Sequence, residues 1–318
     1  MTWLVTGAAG YIGAHVVAAL LTAGERVVGL DDLSAGDPGR LPAEVPLIRA
    51  DATDVTAVRA ALTRHDVTGV MHLAGVKSAP ESTRRPIHYY RQNVGAVAAV
   101  LEAMTDLRVR RLVFSSSAAV YGVPGTTTVS ERTPTRPINP YGQSKLAAEE
   151  LIAAAGRAHD ISWVALRYFN AVGAGGPRLG DHGTANLIPL AFRAARTGEP
   201  ITVAGDRWPT PDGTPVRDYV HVSDLARAHC LVARNPAATG VYNVGAGRGH
   251  SVREVLAAVS LTTGLPVPQQ VGPPRPGDPP AVIARIDKIR DELAWRPAHD
   301  LSESVASAWR AQTSSALV

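Results

Sequence analysis

The stretch TGAAGYIG (6–13) sets Gly7, Gly10 and Gly13 at three-residue intervals. Before it, WLVTG (3–7) reads as a buried strand. After it, YIGAHVVAALLTAG (11–24) reads as a helix ending at Gly24. Glycines between a strand and a helix make a tight turn whose backbone can approach a pyrophosphate seated on the helix N-terminus. Such a turn can also be purely structural, so its surroundings decide. RVVGLD (26–31) is a second strand, and it ends in Asp31, about twenty residues on, where a dinucleotide fingerprint needs an acid for the ribose hydroxyls. Asp31, reinforced by Asp32, repels a 2′-phosphate, so NAD is expected as the cofactor rather than NADP.

Working outward, VPLIRAD (45–51), VTGVMHLAG (67–75), VRRLVFSSS (109–117) and ISWVALRYFN (161–170) read as further strands. Helical patterns fill the gaps at 54–65, 92–105 and 141–156. Strand and helix in alternation predict an α/β fold, a doubly wound parallel sheet of the Rossmann kind. After residue 170 glycine and proline become frequent, as in GAGGPRLGDHG and PVPQQVGPPRPGDPP, interleaved with compact segments such as SVREVLAAVSLTTG. The expected organisation is an NAD-binding domain over 1–170 and a smaller C-terminal α/β substrate lobe over 171–318, with segments returning to the first domain.

Bulk composition narrows the classes. The chain has 318 residues, 45% hydrophobic and 19% charged, enough for a packed core and against wholesale disorder. The net charge of +4 is mild and its arginines are scattered, without the basic run that marks a nucleic-acid or membrane footprint. The single Cys230 excludes an intramolecular disulfide framework and a Cys-rich zinc site, and no metal is expected. It falls in DLARAHCLVAR, a helical pattern, where a buried structural thiol is the default. The N-terminus carries no leader pattern, and no apolar run approaches the ~20 residues that span a bilayer, so a soluble, cytoplasmic protein is expected.

Only Lys77, Lys145 and Lys288 are lysines among 32 Lys and Arg residues, so each retained ammonium invites an explanation. Guanidinium is a planar fork, whereas ammonium is a compact point charge with three rotatable donors. Lys145 stands four residues after Tyr141 in NPYGQSK, one helical turn away on the same face, and Pro140 marks the helix start. Ser117 closes SSSAAVYG (115–122), 24 residues before Tyr141. A phenol with pKa ~10 is a poor base at neutral pH, and a neighbouring ammonium together with a nicotinamide ring would favour its phenolate. Asp51 ends another strand, where it is either a hydrogen-bond acceptor for an adenine amine or a plain strand-end carboxylate. HLAGVKS (72–78) puts small residues Ala74 and Gly75 at a strand's C-terminal end, where ligands bind in such sheets, and Lys77 follows at once.

These strings together resemble the extended short-chain dehydrogenase/reductases, and within them are similar to the UDP-glucose (UDP-galactose) 4-epimerases. The resemblance spans nearly the whole chain and rests on TGAAGYIGAH, HLAGVKSAPES, YYRQNV, FSSSAAVYG, NPYGQSK, LRYFNAVGA, GTPVRDYVHVSDLARAH, YNVGAGRGHSV and RPGD. It implies NAD contacts at Gly7, Gly10, Tyr11, Ile12, Gly13, Asp31, Asp32, Asp51, Ala52, Leu73, Ala74, Lys77, Asn93, Ser115, Tyr141, Lys145 and Phe169. It implies catalysis by Ser117, Tyr141 and Lys145. For a UDP-sugar it implies Lys77, Ser117, Tyr141, Asn170, Asn186 and Leu187, with Arg217 and Arg275 on the pyrophosphate, Asp278 on the uridine ribose and Val282 at the sugar. The implied reaction is C4 epimerisation through a 4-keto intermediate with Tyr141 as base. A homodimer is expected, through VGAVAAVLEAM (94–104) and SKLAAEELIAA (144–154), although packing within the domain explains their apolar pattern equally well.

Two departures bear on specificity. Val282 stands where glucose- and galactose-restricted relatives often carry Tyr, which opens the sugar pocket to N-acetylated UDP-hexosamines unless a neighbouring loop compensates. Ala119 stands where a polar residue often follows the serine, so one hydrogen bond near the sugar is absent. Ala118 and Ala119 also replace the carboxylates that a nucleotide-sugar 4,6-dehydratase would need. A UDP-uronate 4-epimerase, another nucleotide-sugar oxidoreductase and a non-catalytic NAD sensor stay as alternatives, the last disfavoured because both Tyr141 and Lys145 are present.

Overall fold

The structure, a computed structural model, describes residues 1–183, 186–275 and 277–314. Pro276 of the RPGD string lies outside them. The chain begins with β1 (Thr2–Thr6), α1 (Tyr11–Thr22), β2 (Arg26–Asp31), β3 (Leu47–Arg49), α2 (Val55–Arg64), β4 (Gly69–His72), α3 (Ala79–Arg84), α4 (Pro86–Asp106) and β5 (Arg111–Ser117). Next come β6 (Thr128–Val129), α5 (Pro140–His159), β7 (Ser162–Tyr168), β8 (Asn170–Val172), α6 (Leu187–Thr197), β9 (Ile201–Ala204) and β10 (Val216–His221). It continues through α7 (Val222–Arg234), β11 (Gly240–Val244), β12 (Gly249–Ser251), α8 (Val252–Thr263), β13 (Gln269–Gly272), β14 (Ala281–Ala284), α9 (Asp287–Leu293) and α10 (Leu301–Ser314).

Two compact units emerge. Met1–Val120, Pro137–Tyr168 and Ala226–Tyr242 form the first, and Tyr121–Arg136, Phe169–Leu225 and the chain from Asn243 onward form the second. The first holds a seven-stranded sheet in the order β11-β7-β5-β4-β1-β2-β3, parallel at every step from β7 to β3. From β1 the chain steps one way to β2 and β3, then crosses back to β4, β5 and β7. The reversal lies between β1 and β4, and in such sheets ligands bind outside the strand C-termini at that switch. Leu4, Leu30, Val70, Leu112 and Phe114 from the strands meet Val58, Leu62, Val97, Val100, Met104 and Ile152 from α2, α4 and α5 in one buried cluster. α4 starts at Pro86, earlier than the 92–105 pattern suggests, because proline's fixed φ suits a helix's first turn.

The second unit carries a sheet in the order β12-β10-β14-β6, with β8 also paired to β10. The β10–β12 pair is antiparallel and the others are parallel. A separate parallel pair joins β9 and β13. Val172, Ile188, Phe192, Val203, Val255, Leu256, Val259 and Val305 form its core. Ser251 and Glu254 make a reciprocal capping box that satisfies backbone N–H groups at the start of α8. No helix among the described residues is long and apolar enough to cross a membrane.

Candidate active site

The turn after β1 is built by close approach. Gly7 has φ +68°, and a Cβ there would meet the Ala74 nitrogen at 2.8 Å. A Cβ on Gly13 would lie 1.9 Å from the Gly7 carbonyl oxygen, so no larger residue fits between turn and helix. Gly10 N–H donates to that same carbonyl at 3.1 Å. Tyr11 and Ile12 open α1, whose N-terminus carries no side-chain cap, the kind of helix end at which an anion is favoured. Asp31 is buried and accepts from the N–H of Ala9 and of Leu33, both at 2.9 Å, so the acid ties the end of β2 to the glycine turn. Exposed Asp32 accepts from the N–H and hydroxyl of Ser34 at 2.9 and 2.7 Å.

Asp51 accepts from the Thr53 N–H at 2.8 Å and from the Gln92 amide at 3.4 Å, with Ala52 buried beside it. Leu73 and Ala74 leave β4 half-buried, and Lys77 is exposed. Buried Asn93 accepts from Val76 N–H at 2.9 Å and donates to the Val76 carbonyl at 3.1 Å and the Ser144 hydroxyl at 2.9 Å. It fastens the loop after β4 to α5. This glycine cradle, with an acid at the end of β2 and small residues after β4, fits a dinucleotide diphosphate and ribose.

Asn139 caps α5 by accepting the Gly142 N–H at 2.9 Å. Gly142 itself is required, because a Cβ there would meet the Ala119 carbonyl at 2.6 Å. The turn after β5 and the start of α5 are therefore in contact. Ala119 N–H donates to the Ser117 oxygen at 3.1 Å, which leaves the Ser117 proton free to point at the Tyr141 oxygen. That interaction favours the phenolate, but desolvation by burial is larger and raises the phenol above its ordinary value. Burial thus outweighs the lowering expected from the neighbouring ammonium. Lys145 is buried, donates to the Ser115 carbonyl at 2.9 Å and lies 4.9 Å above the centroid of the Phe114 ring. Burial lowers its own pKa to about 8, and the negative Glu149 opposes that shift.

Four groups here escaped the sequence reading. Glu149, one turn beyond Lys145, receives two bonds from Arg167 of β7, at 2.9 Å from Nε and 2.6 Å from Nη2, and one from the Ser116 hydroxyl. Both charged side chains are buried. His72 at the end of β4 stacks on Phe114 and feels the charge of the same lysine, and burial lowers its pKa to about 3. Tyr89 packs edge-on to Tyr141, with centroids 6.4 Å apart. The spacing of Glu149 from Lys145 was the only signal available; the other pairings are long-range.

The second unit gathers the remaining candidates. Arg217 lies on β10 with Nη2 3.7 Å from the Asp278 carboxylate. Burial, then the like charge of Arg275, works against its protonation, while Asp278 and Tyr219 favour it. Two guanidinium groups held within electrostatic reach of each other make a site for an anion. Val282 is buried on β14 directly opposite Arg217 in the strand register. Asn186 and Leu187 begin α6, and the Asn186 amide donates to Asp181 at 2.6 Å rather than capping the helix. Asn170 is exposed at the start of β8, and buried Phe169 precedes it. Cys230 is half-buried, with its thiol pushed up to about 11 by burial, as an inert thiol should be.

Residues 3–245 match the NAD dependent epimerase/dehydratase family. The chain belongs to that family. Among relatives of this epimerase/dehydratase, the UDP-glucose 4-epimerase of Azospirillum brasilense is 43% identical over 311 residues, covering 95% of this chain and 89% of its own. Among solved structures, the UDP-glucose-4-epimerase of Stenotrophomonas maltophila, with bound NAD and formylated UDP-arabinopyranose, superposes with a TM-score of 0.94 at 39% identity, over 100% and 99% of the two chains. That of Bifidobacterium longum, in complex with NAD+ and UDP, gives 0.93 at 36% identity over 98% of each.

Proposed function

We propose that this chain interconverts UDP-hexoses at C4, UDP-glucose with UDP-galactose, using NAD that is not consumed. The observation that carries the reading is the approach of the Ser117 hydroxyl to the Tyr141 oxygen, one helical turn before the Lys145 ammonium. Gly7, Gly10, Tyr11, Ile12 and Gly13 hold the cofactor's pyrophosphate. Asp31 takes its ribose hydroxyls, Asp51 its adenine, and Lys145 the hydroxyls of its second ribose. Bound NAD supplies the acceptor, and then the donor, of the hydride at the sugar's C4.

Tyr141, as phenolate, takes the proton of the sugar 4-hydroxyl, while Ser117 hydrogen-bonds that oxygen and steadies the developing ketone. Burial makes the phenol a poor acid on its own, so the positive charge of Lys145 must act on it once the site is filled. Arg217 and Arg275 keep the diphosphate tethered and Asp278 takes the uridine ribose. The 4-keto sugar can then present its other face before the proton returns from Tyr141. Asn170, Asn186 and Leu187 line the substrate, and Val282 leaves room for N-acetylhexosamines.

The test is a panel of UDP-glucose, UDP-galactose and their N-acetylhexosamines, with and without added NAD, read by chromatography of the products. Interconversion of the hexose pair without net cofactor reduction is expected. Failure to interconvert any member defeats the reading. We further infer a homodimer through the outward face of α4, where Ile87 and Tyr90 are exposed large apolar residues. Ile87→Glu should shift the particle mass from dimer to monomer by light scattering, and an already monomeric wild type defeats that inference.

A further inference from the structure

A second phenol stands at the C-terminal edge of the sheet, and the chemistry above does not use it. β7 ends at Tyr168, which the parallel register sets directly opposite Ser117 at the end of β5. Tyr168 and His229, the latter on α7, are both buried. The Tyr168 hydroxyl and His229 Nε2 form a hydrogen bond, with ring centroids 5.4 Å apart. On its other side the Tyr168 oxygen meets the Ser115 side chain, and Tyr141 is near enough for the two phenols to oppose each other's ionisation. Burial keeps Tyr168 protonated, and its hydroxyl is hydrogen-bonded to His229 Nε2 on one side and to the Ser115 side chain on the other. Ser115 is also the residue whose carbonyl receives the Lys145 ammonium at 2.9 Å. A chain of contacts thus runs from buried His229 and Tyr168 through half-buried Ser115 to the strand end that seats Lys145 and carries Ser117.

We propose that Tyr168 and His229 are a positioning pair for proton transfer, acting through Ser115 to fix Lys145, Ser117 and Tyr141 relative to one another. The role rests on the epimerase reading. Neither residue is among those assigned to the UDP group, so their loss should act on turnover and not on substrate binding. Misplacing reacting groups by about 1 Å costs up to roughly 100-fold.

The experiment compares wild type, Tyr168→Phe, His229→Leu and His229→Gln for kcat, KM and melting temperature. Tyr168→Phe and His229→Leu should lower kcat by roughly 10- to 100-fold while KM for the UDP-sugar stays within about twofold. His229→Gln, whose amide can either accept from or donate to the phenol, should regain part of the loss. A purely structural pair would lower melting temperature and leave kcat at 25 °C unchanged; that result overturns the proposal. So does an equal rise of KM, or a His229→Gln as slow as His229→Leu. Tyr168→Phe removes a single oxygen, so it serves as the measure if the histidine variants fail to fold. A wild type that interconverts nothing defeats the epimerase reading itself, whereas an active wild type matched by Tyr168→Phe defeats only the pair.

Discussion

Replacing Tyr141 by Phe would delete one oxygen and keep the ring against Tyr89. The glycine turn and Asp31, which do not depend on that oxygen, should retain NAD. Turnover should fall by the amount general acid–base catalysis supplies, roughly 10²–10⁴-fold. Measuring turnover together with the NAD that survives gel filtration checks both halves; wild-type turnover would remove Tyr141 from the chemistry. At Val282 the argument concerns volume. The side chain is buried on β14, opposite Arg217 in the strand register. Val282→Tyr should cut turnover of the N-acetylhexosamines by roughly tenfold or more, as pocket-filling changes do, and spare UDP-glucose. Equal losses on both sugars would show that Val282 does not bound the acetyl group. At this scale the sequence announced residues whose roles depend on local spacing, such as Gly7 to Gly13 and Tyr141 with Lys145. It did not announce the raised phenol, because desolvation depends on neighbours far along the chain.

Helix α5 concentrates the site because Tyr141, Lys145 and Glu149 recur every four residues on one face. Glu149 is held by Arg167 across a buried, two-pronged ion pair, and its charge in turn favours the protonated Lys145. Arg167→Met would leave a carboxylate buried without its cation, at a cost of about 3–5 kcal/mol. The double variant Glu149→Met/Arg167→Met should recover most of that, since well-packed apolar groups can replace a buried pair. Urea unfolding of the two single variants and the double gives the coupling; simple additivity would show that the pair is not coupled. The elements themselves were largely legible. Glycine, proline and alternating apolar runs mark β1, α1, β2 and β5, and the depicted strands match to within a few residues. The pairing of Arg167 with Glu149, and of Tyr168 with His229, was not, because each joins side chains from different elements through the sheet's folding. The short strands of the second unit were also illegible: three- or four-residue segments such as β12 and β14 carry too little periodicity to stand out from loops.

Acid should weaken the molecule through two histidines buried in the first unit. His15 is buried on α1 and lowered to about 4, and His72, stacked on Phe114, is lowered to about 3. Desolvation is the leading cause in both. His72 Nδ1 shares a hydrogen bond with the Thr6 hydroxyl at 2.8 Å, whose oxygen also accepts the Ala74 N–H at 3.3 Å, and the ring's other nitrogen is Nε2. That Nε2 has no hydrogen-bond partner among the described residues, so a second proton on the ring would add charge where nothing receives it. The unfolded chain protonates both rings near pH 6.5, whereas the folded chain does so only near 4 and 3. Between those limits the unfolded state binds more protons, so stability falls as pH falls, by about 1.4 kcal/mol per pH unit for each histidine. Near pH 5 the loss is roughly 2 kcal/mol for each. His72→Gln removes one titration, so its urea-derived stability should decline less steeply than wild type from pH 6.5 to pH 4, by about one histidine's slope. Parallel curves for the two proteins would mean that His72 is protonated in the fold, and the buried environment assigned to it would be wrong.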